Sequence, residues 1–519
     1  MMRMTRLVAL GWAALAMTAS ALAQINGPTP LAWRWSSSTN VLPSGSPTLD
    51  GDNVFVGVGG RVFCVDRLTG NKKWQYPLIE PIDGTFVGSP IRYGNLLIAA
   101  GSNKTIYAID PEKGERIWAY DAPGGIVGSP VISGKFLVFN VDGNRLMAID
   151  AETGGSAWEN PERIFDGLQG GLVSYGNDVF FFTRTREMWS MKVSTRKAVR
   201  LAKFQNLNPN ATPNLVGETL YVASGNFVIA VNALTGAPRW QTSVPYSLVF
   251  APGASRAGIA VGTADNKLVL LEANGQLRQQ RVKGPDGRER TTPMAIDLGS
   301  RPIGSPSIIG DLAAVATANG AVNLVDLAKG ELVWSFTIRP LVAGMKDSAG
   351  KEIVSVTAVA SPVTSGNTML VLAADGSLLA FDKEQGVDLT GPSVHLIFPT
   401  QGAQVGNRKG PLDIYFLLAD EASGINDKSL KVTANGRPIT YTFGRDGYLI
   451  LQFGQGLKNG TLPDGRVVIE VSASDWMGNV TKASFSLMID NDLAPLPKPG
   501  NAPTTGGGNR GGGSGGSAG

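Results

Sequence analysis

A ten-residue motif recurs along this 519-residue chain, most often at intervals of about 40 residues. It joins an acid or amide, a glycine four residues later and a tryptophan four residues beyond that. Its clearest copies read IDPEKGERIW at residues 109–118 and IDAETGGSAW at residues 149–158. Because one hydrophobic core rarely serves so long a chain, this period predicts a closed or stacked array of similar units.

Each position of the motif can be assigned a structural role. The acid caps the turn that follows a strand, the glycine supplies a left-handed turn conformation, and the tryptophan wedges an outer strand against the next sheet. The predicted structural positions are Trp35, Trp74, Trp118, Trp158, Trp240 and Trp334, with Asp66, Asp110, Asp150, Asp326 and Asp382, and with Gly70, Gly114, Gly154, Gly236 and Gly330. The fourth and sixth units, KVSTRKAV and EANGQL, are degenerate.

A second landmark runs in phase with the first. Gly-Ser-Pro occurs at residues 45–47, 88–90, 128–130 and 304–306, with related triplets in the other units. The segments around it read as four short strands per unit, for example IVGSPVIS, KFLVFN, RLMAID and SAWEN within residues 126–160. Four strands in about 40 residues are typical of a β-propeller blade. Both landmarks count eight units, so we predict an all-β, eight-bladed β-propeller.

The N-terminal segment LAWRWSS at residues 31–37 looks like an outer strand without a unit of its own. The eighth unit, in turn, has its acid and glycine but lacks the tryptophan. We therefore expect the N-terminal strand, with Trp35 in the docking position, to complete the last blade and close the ring.

The pattern Ala-x-Asp-x-x-x-Gly-x-x-x-Trp, as at Ala108, Asp110, Gly114 and Trp118, resembles the docking motif of quinoprotein dehydrogenases. The same PQQ-like repeat occurs in non-catalytic, BamB-like members of that family. The resemblance covers roughly residues 31–390 and implies the propeller fold. It says little about activity, since the motif builds blades and does not touch substrate.

Beyond residue 391 the period ends. Residues 392–492 read as short strands separated by turns, and the run from Asp475 to Asn479 resembles a turn of bacterial immunoglobulin-like domains, which implies a β-sandwich. Residues 493–519 are rich in proline and glycine and are expected to be disordered. The predicted domains are a signal peptide at 1–23, the propeller at 24–391, the immunoglobulin-like domain at 392–492 and the tail at 493–519.

The N-terminus carries two arginines, a short apolar run and a small-residue cleavage site, as in secretory signals. We expect an exported protein in the periplasm, cell envelope or extracellular space, with no transmembrane segment. The formal charge of +4 is too small to indicate a nucleic-acid partner. The one cysteine, Cys64, occupies the small-residue position of the repeat and reads as a buried structural residue.

Catalytic signatures are sparse. The one histidine, His395, reads as a solvent-facing strand residue, and Trp189 reads as a filler of the irregular fourth unit. One cysteine cannot form the vicinal pair that quinoprotein alcohol dehydrogenases typically carry over the quinone. The favoured hypothesis needs no catalytic residue, cofactor or metal. The alternative, implied by the resemblance, is an alcohol or sugar dehydrogenase that uses pyrroloquinoline quinone and calcium.

Two long intervals flank the seventh unit, and extra residues of a propeller emerge as loops. The first interval carries four cations proposed to engage an acidic partner: Arg281, Lys283, Arg288 and Arg290. The leading hypothesis is an exported binding scaffold whose loops hold a protein or an envelope polymer, with outer-membrane assembly as one version. A third hypothesis is an extracellular structural or adhesion module.

Overall fold

The computed structural model describes residues 25, 27–37, 42–207, 212–284, 286–342, 344–346, 350 and 352–497. Every regular element in these residues is a β-strand, which confirms the predicted all-β class. Within the same residues, no helix is long and apolar enough to span a membrane. The predicted signal segment and the tail beyond residue 497 lie outside the described part of the chain.

Eight four-stranded antiparallel sheets follow one another within residues 31–382 of the described chain, as expected of propeller blades. The chain enters through β1 (Leu31–Ser36), which belongs to the last of them. The first four sheets contain β2 (Thr48–Asp50), β3 (Asn53–Val58), β4 (Arg61–Asp66) and β5 (Lys72–Tyr76); β6 (Phe86–Tyr93), β7 (Leu96–Gly101), β8 (Thr105–Ile109) and β9 (Arg116–Asp121); β10 (Ile126–Ser133), β11 (Phe136–Val141), β12 (Arg145–Asp150) and β13 (Glu162–Arg163); β14 (Leu168–Tyr175), β15 (Asp178–Thr183), β16 (Glu187–Lys192) and β17 (Lys197–Lys203).

The next four sheets repeat this order, with a hairpin inserted in the sixth. They contain β18 (Asn214–Val216), β19 (Thr219–Ser224), β20 (Phe227–Asn232) and β21 (Pro238–Ser243); β22 (Gly253–Ser255), β23 (Gly258–Gly262), β24 (Lys267–Leu271) and β27 (Ala295–Asp297), with β25 (Gln279–Lys283) and β26 (Glu289–Pro293) as the hairpin; β28 (Ser307–Ile309), β29 (Leu312–Ala316), β30 (Ala321–Asp326) and β31 (Glu331–Thr337); β32 (Val363–Ser365), β33 (Thr368–Leu372), β34 (Ser377–Asp382) and β1.

The N-terminal strand supplies the outer strand of the eighth sheet. β1 pairs antiparallel with β34, with Trp33 opposite Ala380 and Trp35 opposite Leu378. An ion pair of 2.9 Å joins Arg34 to Asp375 beside this ladder. The pairing is the one predicted from the unmatched segment at residues 31–37, and it covers an edge of β34 that would otherwise be free.

The acid and the glycine of the motif make specific contacts in the second sheet. Asp110 accepts hydrogen bonds from the backbone N–H groups of Glu112 and Lys113 and so closes the turn. Gly114 has a φ of 72°, and a Cβ there would lie 2.7 Å from the Trp74 ring. The indole of Trp74 donates to the carbonyl of Pro111 at 2.9 Å. A larger residue than glycine would therefore push neighbouring sheets apart.

The same capping and docking recur around the sheets. Asp66, Asp150, Asn232, Asp326 and Asp382 accept backbone N–H bonds in their turns. Trp33 packs on Gly70, Trp118 on Gly154 and Trp240 on Gly275. In the two degenerate units other apolar side chains take the place of tryptophan: Leu201 packs on Gly236, and Met294 packs on Gly330.

Three tryptophans depart from the predicted arrangement. The docking residue of the N-terminal strand is Trp33, whereas Trp35 packs against Phe63 with ring centroids 5.0 Å apart. Trp158 meets Arg196 instead of a glycine, with the guanidinium 5.0 Å from the ring. Trp334 is fully buried and stacks on Phe336.

The fourth strand of the third sheet also begins later than expected. The sequence SAWEN predicted it at residues 156–160, yet β13 is the pair Glu162–Arg163. Ser156 makes one isolated bridge to Ile149, and Pro161 follows with no N–H to donate. The ladder therefore resumes only after the proline.

The Gly-Ser-Pro landmark joins the inner strands to one another. The Ser89 hydroxyl accepts from the backbone N–H of Ser46, and the Ser129 hydroxyl accepts from the N–H of Ser89. A Cβ on Gly45 would lie 2.4 Å from the backbone of Gly88, so the inner strands approach too closely for a side chain there. These bonds link the inner strands of the first three sheets to one another.

The C-terminal part, residues 393–489, packs one antiparallel and one mixed sheet around one apolar core. One sheet contains β35 (Ser393–Phe398), β37 (Leu412–Ala419), β41 (Tyr448–Phe453) and β40 (Thr442–Phe443). The other contains β36 (Gln404–Val405), β43 (Val480–Ile489), β42 (Gly465–Asp475), β38 (Ile425–Ala434) and β39 (Arg437–Pro438). In the second sheet, β36 pairs in parallel with β43.

One end of this two-sheet unit is bonded to the rim of the seventh sheet. The Trp334 indole donates to the Ser423 carbonyl at 2.8 Å. The guanidinium of Arg339, only 9% exposed, donates to the carbonyls of Leu418 and Asp446. These bonds are buried between the two parts and satisfy polar groups that water cannot reach.

Candidate partner-binding surfaces

One face of the sheet array carries all the connections between consecutive sheets. These connections lie over the turns between second and third strands: the N–H of Ile82 donates to Gly60, that of Ile164 to Asn144, and that of Ile338 to Gly320. We call this the inter-sheet face. The opposite face carries the capped turns of the repeat.

Large apolar side chains stand exposed on the inter-sheet face. Leu78 is 76% exposed and Ile79 is 78% exposed in the connection from the first sheet to the second. Phe165 is 88% exposed in the connection from the third sheet to the fourth. Leu42 and Val342 add exposed side chains in two further connections. Exposed apolar side chains on one face make it a candidate interaction surface.

The connection that carries Leu78 and Ile79 is held by its own hydrogen bonds. The Gln75 amide donates to the Leu78 carbonyl at 3.1 Å, and Arg61 donates to the Ile79 carbonyl. These bonds engage the backbone and leave both side chains in solvent. A surface held in place in this way loses less conformational entropy when a partner binds.

Phe165 lies on a similarly anchored connection. The N–H of Ile164 donates to Asn144 at 2.8 Å, and the N–H of Gly167 donates to Ile164 at 3.0 Å. The Arg163 guanidinium lies 5.6 Å from the Phe165 ring. Sequence analysis missed both connections, although an apolar run between a proline and acids, as in PLIEP, is a usable signal for an exposed tip.

The four predicted cations lie on the hairpin inserted in the sixth sheet. Arg281 and Lys283 are on β25, Arg290 is on β26, and Arg288 precedes β26. All four are exposed, as a binding ribbon requires. Their charge is nevertheless divided, because cross-strand partners share a face and Val282, not Arg281, lies opposite Arg290.

Acids on the same hairpin reduce its charge further. Lys283 lies opposite Glu289, and Arg290 forms a 2.9 Å ion pair with Asp286. The second long interval, residues 335–359, begins as the end of β31 and contains an isolated bridge between Lys346 and Glu352. Neither interval therefore presents a surface of undivided positive charge.

The inner strands of the fifth to eighth sheets line a cleft of about 560 Å³. Its polar lining includes Thr212, Asn214, Ser305 and Ser361. Three of these side chains are already engaged: Thr212 accepts from Gly171, Asn214 donates to Pro252 and Ser361 donates to Ser305. The cleft is thus lined by neutral groups that serve the fold.

Cys64 is fully buried in the first sheet. Burial raises the pKa of its thiol to about 12. The thiol is therefore protonated at neutral pH and has little nucleophilic character.

Three buried carboxylates meet where the two parts of the chain join. In the described chain, oxygens of Asp388, Asp420 and Asp475 lie within 4.8 Å of one another, close enough to share a cation. Their oxygens are engaged within the protein: Asp388 with Ser423, Asp420 with the N–H groups of residues 422–424, and Asp475 with Asn479. Burial, with the charge of Asp388 adding to it, raises the pKa of Asp420 and of Asp475.

Asp388→Asn is expected to stabilise the protein at pH 7.5 by about 1 kcal/mol. The pKa values of Asp420 and Asp475 are raised in the folded state, so the contribution of these two groups favours folding below their unfolded pKa and is lost as the pH rises through their folded pKa. Removing one charge relieves that loss, and the amide keeps partners for Thr390 and Ser423. Urea unfolding at pH 7.5 and pH 5.0 measures the difference, with Asp265→Asn, an exposed acid, as the control. An equal effect at both pH values would contradict this account.

Comparison with known proteins gives the following matches. The family described as "Outer membrane protein assembly factor BamB" matches residues 20–163 and 178–342, more than half of the chain. The protein of that name from Burkholderia pseudomallei is 26% identical over 389 residues, covering 67% of this chain and 87% of the relative. Its namesake from Yersinia pestis is 28% identical over 174 residues, 33% of this chain and 40% of the relative. The crystal structure of BamB from Moraxella catarrhalis aligns over 66% of this chain and 86% of its own, with 14% identity and a TM-score of 0.39.

Proposed function

Because this chain belongs to the family of the outer membrane protein assembly factor BamB, we propose that it is an exported protein-binding scaffold in outer-membrane protein assembly. It holds its partner protein on the inter-sheet face. The proposal assigns it no catalytic residue, cofactor or metal, and it includes the signal peptide at residues 1–23 that places the protein in the envelope.

The architecture proposed for the scaffold is an eight-bladed propeller followed by an immunoglobulin-like sandwich. Support for the propeller comes from the eight four-stranded sheets of the described chain and from the pairing of β1 with β34. Support for the sandwich comes from the two sheets that share one core in residues 393–489. The domain limits proposed are 24–391, 392–492 and a disordered tail at 493–519.

One observation carries the functional proposal: Leu78, Ile79 and Phe165 are each more than three-quarters exposed on backbone-anchored connections of one face. Exposing these side chains to water is unfavourable, and burying each against a partner would contribute about 1.5–3 kcal/mol. Anchors of this kind carry most of the energy of a protein interface. Charges of both signs adjoin these side chains, with Glu80 and Asp166 next to them in the sequence and Arg163 near the Phe165 ring, so the partner surface is expected to carry both signs as well.

The test is affinity capture from a detergent extract of the source organism's envelope. Tagged wild-type protein is compared with the variant Leu78→Asp/Ile79→Asp/Phe165→Asp. The wild type is expected to retain an outer-membrane assembly protein, and the variant is expected to retain less than about a tenth as much, since hot-spot residues each contribute 2 kcal/mol or more. The substituted side chains are exposed, so folding and thermal stability should not change.

A matched control carries the same kind of substitution on the opposite face. Leu68 and Leu234 are 40% and 59% exposed in the capped turns. The variant Leu68→Asp/Leu234→Asp is expected to capture as much as the wild type. Equal capture by the inter-sheet variant, or capture of no assembly component by the wild type, would overturn the proposal.

A further inference from the structure

The end of the C-terminal sandwich that points away from the propeller contains a cleft of about 800 Å³. It opens between the segment that includes β39 and the loop between β41 and β42. The propeller contacts the other end, through Leu418, Ser423 and Asp446. This distal cleft is therefore free of the junction and separate from the inter-sheet face.

The floor of the distal cleft is apolar. Its accessible apolar groups are Pro438 and Pro463, which are exposed, and Ile439, which is half-buried, while Phe453 and Leu462 are buried core residues beneath the cleft. Asn459 spans the cleft wall, accepting from the N–H of Thr440 at 2.7 Å and donating to its carbonyl at 2.8 Å. A wall held by paired amide bonds gives a preformed cleft, which binds with little loss of conformational entropy.

The rim of the distal cleft is cationic. Arg437 and Lys458 line it, both are exposed, and neither forms an ion pair with a described residue. No acid belongs to the lining; Asp464 stands just beyond it and faces Arg408 at 3.9 Å. An apolar floor beneath two unpaired cations is complementary to an apolar side chain that lies next to a carboxylate.

The chemistry of the lining favours a peptide over the alternatives. A sugar would need an open aromatic ring face, but the one aromatic lining residue, Phe453, is fully buried. The chain's own tail is a poor occupant, since residues 494–519 carry Lys498 and Arg510 and no acid. A peptide supplies both the side chain for the floor and the carboxylate for the rim.

We propose that the distal cleft binds an extended segment of a second protein, with a bulky aliphatic residue against Pro438, Ile439 and Pro463 and an adjacent Asp or Glu between Arg437 and Lys458. This contact is additional to the one on the inter-sheet face. Its loss would leave capture through Leu78, Ile79 and Phe165 unchanged, so the two proposals fail separately.

The probe is an array of immobilised hexapeptides, Gly-Ser-Leu-Asp-Ser-Gly and its relatives, overlaid with the labelled full chain at about 50 mM salt, where exposed charges are weakly screened. Leu is varied to Ile, Phe and Ser, and Asp is varied to Glu, Asn and Lys. The full chain is expected to retain the aliphatic–acidic peptides at least fivefold over their Asn, Lys and Ser counterparts. Equal retention of all peptides, or retention of none above a Gly-Ser blank, would overturn the proposal.

The rim is tested with Arg437→Glu/Lys458→Glu, for which we expect the preference for Asp and Glu over Asn and Lys to disappear. The matched control is Lys431→Glu/Lys482→Glu, which makes the same charge change on the outer face of the same domain. Retention should survive in the control. Unchanged retention by the rim variant, preferential binding to an oligosaccharide array, or self-association of the chain that the rim variant abolishes would each contradict a peptide ligand.

Discussion

Deletion of residues 25–36 is expected to destabilise the protein by about 5 kcal/mol or more, which a marginally stable fold cannot absorb without partial unfolding. The deletion removes β1 and so exposes the outer edge of β34 in the eighth sheet. It also removes Trp33 from Gly70 and Trp35 from Phe63, and thereby breaks the contact between the eighth sheet and the first. Lost ladder bonds at about 1 kcal/mol each and lost apolar burial add up to this size.

The measurement is urea unfolding followed by circular dichroism. Truncation after residue 497 serves as the control and is expected to leave the midpoint unchanged. A synthetic peptide of residues 27–37 added to the deletion variant should restore part of the lost stability, because it can refill the outer-strand position. If the deletion variant unfolded at the wild-type midpoint, β1 would not be closing the array.

Trp334→Ala is expected to cost about 3–5 kcal/mol. The indole is fully buried, packs against Phe336 and Phe381, and donates to the Ser423 carbonyl of the sandwich. Its removal leaves a large cavity and an unsatisfied carbonyl at the junction of the two parts. Both the seventh sheet and the attachment of the sandwich should weaken together.

Trp334→Phe separates the two contributions. It keeps most of the apolar volume but loses the indole N–H, so the expected cost falls to about 1–2 kcal/mol. Calorimetry of both variants checks the order, and limited proteolysis reports whether the junction opens. A Trp334→Phe variant as unstable as Trp334→Ala would show that the hydrogen bond, not the packing, dominates.

Much of the fold was predictable because each position of the motif has a structural role in a turn or in the contact between sheets. Asp110 caps its turn and Gly114 admits Trp74, as their spacing indicates. The choice between Trp33 and Trp35 was not predictable, since the motif counts from an acid in the same unit. The corresponding acid of the last unit, Asp382, is far away in sequence, and a bulge between Leu31 and Trp33 alters the register.

The degenerate units show which positions of the motif are required for docking between sheets and which can be replaced. Leu201 and Met294 occupy the space over Gly236 and Gly330 that tryptophan fills elsewhere. Any large apolar side chain that covers the glycine is enough for docking, although only tryptophan adds the indole hydrogen bond. A search for tryptophan alone therefore overlooks both positions.

The candidate site was less accessible to sequence reasoning than the fold. Charge in the first long interval drew attention to Arg281 and Lys283, but only the strand register reveals that acids and alternate faces divide that charge. Leu78 and Ile79 are ordinary apolar residues by composition. Their exposure depends on the backbone hydrogen bonds that hold the connection, which composition does not reveal.

Site-specific photo-crosslinking tests the central claim most directly. A photoreactive phenylalanine analogue is placed at Ile79 on the inter-sheet face or at Leu234 on the opposite face, and the protein is irradiated in intact cells of the source organism. We expect position 79 to form a crosslink with an outer-membrane assembly protein and position 234 to form none. Crosslinking of that protein from position 234 alone, or no crosslink from position 79, would contradict partner binding on the inter-sheet face.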